Sequence, residues 1–290
     1  MTRRIAHVSD LHFGRTEPRI VAGLEESLRA ARPDLVIVSG DLTQRARHGE
    51  FAAARAFLDR LPAPALAVPG NHDLPSWNLL ERFVDPYARY RHYISPELEP
   101  AWCDEELGIL GIKSSRRLTR ELHWAIGRIG RRQLERSLAR LDRMPDHLVR
   151  IVVVHHPLLL PETPGTKLPM HAFTGGAAQA LAAFAAHRVQ LVLSGHLHRS
   201  YARRHETLPP GPPAVALPTA EPLTVRHRTA PLPEGPLVVH AATATSTRLR
   251  EEPNSYNLIT IADGRITVEV HAWDGRELFA AAQPLATAAA

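Results

Sequence analysis

Val189-Gln190-Leu191-Val192-Leu193-Ser194-Gly195-His196-Leu197-His198 is the stretch that decides the fold. Val189 to Leu193 is a short apolar run of the kind that forms a buried strand, and Ser194-Gly195 ends it in a tight turn. Past the turn stand two histidines at i and i+2, which project to the same side if the backbone stays extended. Neutral imidazole is the commonest side-chain ligand for borderline metal ions. One such pair carries little weight, because histidines in a surface loop after a strand are ordinary. Four other strands of this chain end the same way.

Working outward, Ile5 to Ser9 runs into Asp10-Leu11-His12, and Leu35 to Ser39 closes on Gly40-Asp41. Ala65 to Val68 leads to Pro69-Gly70-Asn71-His72-Asp73, and Ile151 to Val154 ends at His155-His156-Pro157. Helical periods fill the intervals. Pro18 to Ala31 places Ile20, Val21, Leu24 and Leu28 on one face before Pro33 stops it, and Glu50 to Leu61 does so with Phe51, Ala54, Phe57, Leu58 and Leu61. Gly130 to Leu141 and Gly175 to Ala186 read as further helices. Strands alternating with such helices argue right-handed βαβ units and a mainly parallel sheet. Ligands bind at the carboxyl edge of such a sheet, and all five endings lie there.

The residues gathered at that edge are Asp10, His12, Asp41, Asn71, His72, His155, His196 and His198, and two aspartates, one asparagine and four histidines of these make a ligand set. This nitrogen and oxygen donor set, with no thiolate, suits Mn²⁺, Fe, Zn²⁺, Co²⁺ or Ni²⁺ better than Mg²⁺ or a soft ion. Seven donors are too many for one catalytic metal and enough for two sharing a carboxylate. Two ions roughly 3.5–4 Å apart clamp a phosphoryl group.

The order Asp-x-His, Gly-Asp, Gly-Asn-His-Asp, His-x-Pro, Gly-His-x-His resembles the calcineurin-like metallophosphoesterase superfamily, over residues 5 to 198. The resemblance implies an α/β fold, a four-layer α/β-β/α sandwich of two mixed sheets flanked by helices, and two divalent transition-metal ions, Mn, Fe or Zn foremost. Carried over residue by residue, Asp10, His12 and His198 hold the first ion, Asn71, His155 and His196 the second, and Asp41 bridges them. A hydroxide between the ions attacks phosphorus, while His72 stands outside the metals and assists the leaving alkoxide. Gln44, Asp73 and His156 are expected behind the ligands. Position 44 departs from the pattern: many relatives carry Gly-Asp-x-x-Asp, and here the run is Gly40-Asp41-Leu42-Thr43-Gln44. Gln44 can accept a hydrogen bond from imidazole through its amide oxygen but cannot stabilise imidazolium by charge.

Within the superfamily the chain most resembles small bacterial class III cyclic-nucleotide phosphodiesterases, by its length, Val68-Pro69-Gly70-Asn71-His72-Asp73 and the His-His-Pro motif. The expected activity is therefore hydrolysis of a phosphodiester, a cyclic nucleotide foremost. The runner-up is a hydrolase of a nucleotide-linked or lipid pyrophosphate, and a rival of another class is a non-catalytic metal-dependent scaffold.

Composition bounds the rest. The 290 residues, 44 % hydrophobic and 22 % charged, suit one globular domain over 1–290. No run is long enough to span a bilayer, and Met1-Thr2-Arg3-Arg4 leads straight into a strand, so neither anchor nor signal peptide is expected. A single cysteine, Cys103, reads as a half-buried structural residue in a reducing cytoplasm. The +5 net charge comes nearly all from scattered arginines, which favours a small anionic phosphoester over nucleic acid. The oligomeric state stays open, a dimer included.

Residues 74–104 read as an irregular aromatic-rich excursion. Trp77, Tyr87 and Tyr90 are candidates to stack on a base there, with Arg89 and Arg91 as candidate phosphate or ribose contacts. Residues 207–236, with nine prolines, read as an extended insertion carrying edge strands near Ala214–Leu217 and Leu223–Val225. Alternating strands follow over about 237–273, with a hairpin turn at Ala262-Asp263-Gly264-Arg265, and the tail from Ala280 is expected to fray.

Overall fold

A computed structural model describes residues 2–118, 124–162, 170–206, 235–250 and 252–290. The chain opens with β1 (Arg3–Val8), α1 (Pro18–Ala31), β2 (Leu35–Val38), α2 (His48–Asp59) and β3 (Ala65–Ala67). Two short helices, α3 (Leu79–Val84) and α4 (Ala88–Tyr93), then precede β4 (Ala101–Cys103), β5 (Leu107–Ile112) and β6 (Gly127–Arg128). Next come α5 (Arg131–Leu141), β7 (Val149–Val154), β8 (Thr174–Gly175), α6 (Ala177–Ala186) and β9 (Val189–Ser194). The chain closes with β10 (Tyr201–Arg204), β11 (Leu237–His240), β12 (Ser255–Ala262), β13 (Arg265–Trp273) and β14 (Phe279–Ala289).

Two six-stranded sheets carry the fold, in the orders β14-β13-β12-β1-β2-β3 and β10-β11-β9-β7-β5-β4. β1, β2 and β3 are parallel, as are β5, β7, β9 and β11, while β12 to β14 and the edges β4 and β10 run antiparallel. Strand periodicity sorts the side chains into layers. Ile5, Leu35 and Ile37 pack between the sheets with Ile151, Val153, Leu191, Leu193 and Val239. Their alternates Ala6, Val8, Val36 and Val38 turn onto Leu24, Leu28, Phe51 and Phe57 of α1 and α2. On the far side Val152, Val154 and Val192 meet Leu141 of α5 and Phe184 of α6. Each of these large side chains, once buried, contributes roughly 1.5–3 kcal/mol. Two large mixed sheets flanked by helices result, as expected.

Local signals explain the element ends. Pro18 opens α1, and Arg32 closes it in the left-handed conformation, φ 46°, directly before Pro33. The Glu50 carboxylate accepts the backbone N–H groups of Arg45 and Arg47 at 2.7 and 3.2 Å, fixing the entry to α2. Asp263 and Gly264, at φ 50° and 70°, form the β12–β13 hairpin turn read from the Asp-Gly pair.

Three expectations need correction. The tail is strand: β14 pairs along β13 from Phe279–Trp273 to Ala289–Arg265. Its alanines offer no alternation to read, and Pro284 is tolerated because the strand lies at an edge. Segment 74–104 is ordered into α3, α4 and β4, each too short to show a period. Cys103 is exposed on the edge strand β4 rather than half-buried. The edge strands expected near 214–217 and 223–225 lie outside the described residues. Among the described residues no helix is long and apolar enough to cross a membrane.

Candidate metal centre

β1, β2 and β3 of one sheet and β7 and β9 of the other deliver their carboxyl ends to a common edge, and all seven candidate ligands stand just beyond them. The backbone there is bent in a way ordinary strands are not. Asp10, His12, Asp41, His196 and His198 all have positive φ, between 51° and 83°, and so occupy a region that non-glycine residues rarely visit. Strain of about 1–3 kcal/mol per residue persists only where the surroundings hold it, and here it marks the site. The glycines of the motifs permit the crowding. A Cβ on Gly195 would strike Ser9 Oγ and Asp10, and one on Gly70 would strike Asp41.

The side chains form two clusters joined by a carboxylate. Asp10, His12 and His198 make one: His198 Nε2 is 3.2 Å and His12 Nε2 3.6 Å from Asp10 Oδ1, and the two Nε2 atoms are 3.1 Å apart. In the other, His155 Nε2 is 3.2 Å from Asn71 Oδ1, and His196 groups with His155 and His156. Asp41 Oδ2 stands 3.4 Å from His155 Nε2 and 3.8 Å from His12 Nε2, so one carboxylate oxygen faces both clusters. Its Oδ1 is taken by the backbone N–H of His72 at 2.8 Å.

His196 and His198 therefore do not act on one side together. Positive φ at both turns one ring into each cluster, where an extended backbone would have paired them.

Outward-facing hydrogen bonds fix the ring orientations. Nδ1 of His155 lies 2.8 Å from the Ser39 carbonyl, and Nδ1 of His198 lies 2.9 Å from the Arg248 carbonyl. A carbonyl only accepts, so each Nδ1 donates and each Nε2 turns to the centre, the usual arrangement of ligating histidines. Asp10 Oδ2 accepts from Ser9 Oγ and the His196 N–H at 2.6 and 2.8 Å, whereas the buried Oδ1 accepts no hydrogen bond. An orphaned carboxylate oxygen facing two imidazole nitrogens, in a buried set of nitrogen and oxygen donors, fits a divalent ion.

The electrostatics of the metal-free site agree. Burial opposes ionisation of Asp10 and Asp41, but the surrounding imidazoles, His198 and His12 at Asp10, His155 and His72 at Asp41, hold both carboxyls well below the ordinary range. Burial opposes charge on His155 too, and the Asp41 carboxylate overrides it, raising the pKa to about 9. Asp10 does the same for His198 in direction. His12 and His196 go the other way, because burial dominates there and adjacent histidines add to it.

The residues expected behind the ligands are found nearby. Asp73 accepts the N–H groups of Gly70 and Thr43 at 2.9 Å, tying the β2 and β3 loops together. Burial and the neighbouring Asp41 raise its pKa to about 6. His156 is buried with Nδ1 2.8 Å from Ser114 Oγ. His72 is held differently from expectation: its Nδ1 donates to the backbone carbonyl of Gln44 at 2.8 Å, and the buried Gln44 Oε1 has no partner.

Beside His72 opens a cavity of about 460 Å³, lined by Gln44, Asn71, Leu74, Ser76, Arg82 and Trp124 among others. None of the expected aromatic wall residues lines it. Tyr90 is fully buried against Phe51, Tyr87 donates its hydroxyl to the Ser115 carbonyl, and Trp77 donates to the Arg45 carbonyl at the surface. Arg89 and Arg91 are paired with Glu81 and Asp85. The aromatic that does reach the cavity is Trp124, with the Arg82 guanidinium 4.6 Å over its ring. Arg82, fully buried, also donates to the carbonyls of Pro75, Arg116 and Arg117, so it fastens the cavity walls to each other. A lone tryptophan and a lone arginine carry no sequence signal, and both were missed.

The sequence pattern of the calcineurin-like phosphoesterases matches residues 3–200. The chain belongs to that family, and it is a metal-dependent phosphoric ester hydrolase. Among its relatives is a Synechococcus protein named as a probable cyclic nucleotide phosphodiesterase, 30 % identical over 230 residues, which are 75 % of this chain and 82 % of the relative. A glycerophosphodiester phosphodiesterase of Enterobacter lignolyticus is 35 % identical over 80 residues, 24 % of this chain and 29 % of that protein. Among solved structures, a purple acid phosphatase from yellow lupin superposes with a TM-score of 0.64 at 12 % identity. That superposition covers 97 % of this chain and 53 % of the plant protein, so the chain spans about half its length and the likeness is one of fold.

Proposed function

We propose that this chain is a phosphodiesterase with a cyclic nucleotide as its substrate, working through two divalent ions of the Mn, Fe or Zn type in a reducing cytoplasm. The observation that carries the reading is Asp41 Oδ2, within 3.8 Å of imidazole nitrogens from both clusters, with His72 beside it at the edge of a cavity. Asp10, His12 and His198 would hold one ion, Asn71, His155 and His196 the other, and Asp41 both. When bound, such a pair supplies Lewis acidity toward the phosphoryl oxygens and acidifies the attacking water.

The chain's own residues do the rest. The Gln44 carbonyl orients His72 so that Nε2 is the nitrogen available for exchange with substrate. Asp73 keeps the Asp41 and His72 loops in register. The cavity volume falls in the ~300–1,000 Å³ range of small-molecule pockets, and its Trp124 offers a flat apolar face to a base. The Synechococcus relative supports the cyclic-nucleotide reading. The shorter match to a glycerophosphodiester phosphodiesterase favours a second one, an open diester of glycerol.

One screen with Mn²⁺ tests both, comparing a phosphomonoester, glycerophosphodiesters, cyclic nucleotides and a nucleotide-linked pyrophosphate. Cyclic nucleotides should show the highest kcat/KM. A preference for the pyrophosphate or monoester would refute the reading, and a preference for glycerophosphodiesters would select the second.

A further inference from the structure

We propose that Arg248 binds the anionic oxygens of the substrate beside His72 and supplies a fixed positive charge there. This rests on the phosphodiesterase reading and adds a residue to it. The family pattern ends at residue 200, and Arg248 lies beyond it, on the segment that joins β11 to β12.

That segment is fastened to the loop bearing Asp10 and His12. The Ala244 N–H donates to the Ser9 carbonyl at 3.0 Å, and the hydroxyls of Thr243 and Thr245 donate to the carbonyls of Asp10 and Leu11 at 2.6 Å each. The Thr247 N–H reaches the Arg15 carbonyl at 2.9 Å, and Asn254 Nδ2 holds the Ser246 carbonyl at 3.0 Å. Arg248 therefore leaves a backbone whose position is set by the metal loop itself. Its own carbonyl accepts from His198 Nδ1, and its own N–H donates to Ser246 Oγ at 3.1 Å.

The side chain turns toward His72, with Nη1 3.5 Å from Nε2. That distance is at the outer limit of a hydrogen bond. His72 Nδ1 donates to the Gln44 carbonyl, so Nε2 is the ring nitrogen that faces Arg248. The Gln44 side chain, with Nε2 3.4 Å from Nδ1, brings no charge to this edge of the site. The Arg248 guanidinium is always charged and always a donor, so it can hold an anionic oxygen beside Nε2 whatever proton His72 carries.

Several arginines here have other work. Arg55, Arg89 and Arg91 are paired with Asp59, Glu81 and Asp85. Among the described residues the half-buried Arg248 guanidinium meets no carboxylate. Its planar fork matches two oxygens of one phosphoryl group, and no proton need move. Arg248 thus acts by charge as the transition state forms, and the substrate oxygens take over the contact now made weakly by His72.

The test compares the Mn²⁺-loaded wild type with Arg248→Ala and Arg248→Lys on methyl p-nitrophenyl phosphate. Arg248→Ala should lose about 10²–10³-fold in kcat, the range for removal of one transition-state donor. Metal content and Tm should match the wild type, because the carbonyl that holds His198 is retained. Added methylguanidinium should restore activity to Arg248→Ala and not to the wild type, and Arg248→Lys should fall between. Activity of Arg248→Ala within about threefold of wild type would overturn the proposal, that change being under 1 kcal/mol. A loss that methylguanidinium does not relieve would overturn it too. Should the wild type hydrolyse no diester, the phosphodiesterase reading fails by itself, and inorganic phosphate then serves as the probe. Calorimetry should show Kd for phosphate raised about tenfold in Arg248→Ala, as loss of a charge-assisted hydrogen bond implies. An equal Kd would again overturn the role.

Discussion

Loading the metal-free protein with Mn²⁺ should expel protons, and the affinity should therefore rise steeply with pH. His155 is the group that sets this. Burial works against its charge, but the Asp41 carboxylate 3.4 Å away raises its pKa to about 9, so at pH 7 the ring carries a proton where an ion would sit. Displacing that proton at pH 7 costs two units of pKa, about 2.7 kcal/mol or a hundredfold in apparent affinity relative to pH 9 and above. His198 is shifted in the same direction by Asp10, and burial shifts His12 and His196 the other way. Between pH 6 and 8 the logarithm of the association constant should thus climb by one to two per pH unit, as displacement of one or two protons requires. Calorimetric titration at three pH values, in buffers of differing ionisation enthalpy, counts the protons directly. An affinity independent of pH, with no proton release, would refute the claim that these imidazoles face a metal position.

Other substitutions separate the roles. Asp41→Ala removes the carboxylate shared by the two clusters and should lose metal and activity together, whereas His72→Ala should keep both ions and lose roughly 10²–10⁴-fold in turnover. Metal loss in His72→Ala, read by elemental analysis, would contradict that division. Trp124→Ala should raise KM for a cyclic nucleotide by about 5–150-fold, the value of ~1–3 kcal/mol per stacked base, and leave methyl p-nitrophenyl phosphate nearly unaffected. Equal losses on both would assign Trp124 to packing alone. Acid should destabilise the metal-free protein. Burial holds His7 and His240 neutral, with pKa values of about 3 and about 4 against 6.5 unfolded, so their stabilisation is complete above pH 6.5 and fades as pH falls. Their two protons, taken up only on unfolding, contribute a slope of about 2.7 kcal/mol per pH unit between roughly pH 6 and 4.5, of which Asp73, raised to about 6 in the fold, offsets up to about half. Urea titrations that show stability flat over that window would refute it.

The five strand endings were legible because each puts a polar donor directly after an apolar run, and the sheet brings those ends together whatever lies between. The seven candidate ligands follow from that alone, and the strained backbone that aims them does not. Residue type says nothing of φ: an extended backbone would aim His196 and His198 to one side, and their positive φ turns the two rings into separate clusters. Aromatic content misled for a related reason. Tyr87 and Tyr90 follow His72 in sequence but fill the core beneath α4, and the cavity takes its aromatic from Trp124, 52 positions after His72. Strand β14 was hidden because its alanines alternate nothing, and its register slips twice against β13. Arg248 sits in no motif, and only the bonds between its segment and the Asp10 loop show where its charge goes.

The central claim is that seven side chains hold two divalent ions and that phosphodiester hydrolysis depends on them. Elemental analysis of the protein purified with Mn²⁺, paired with diester turnover before and after dialysis against EDTA, tests it most directly. Two ions per chain, turnover abolished by EDTA and restored by Mn²⁺, is the predicted result. Full turnover in EDTA with no metal detected would contradict the account.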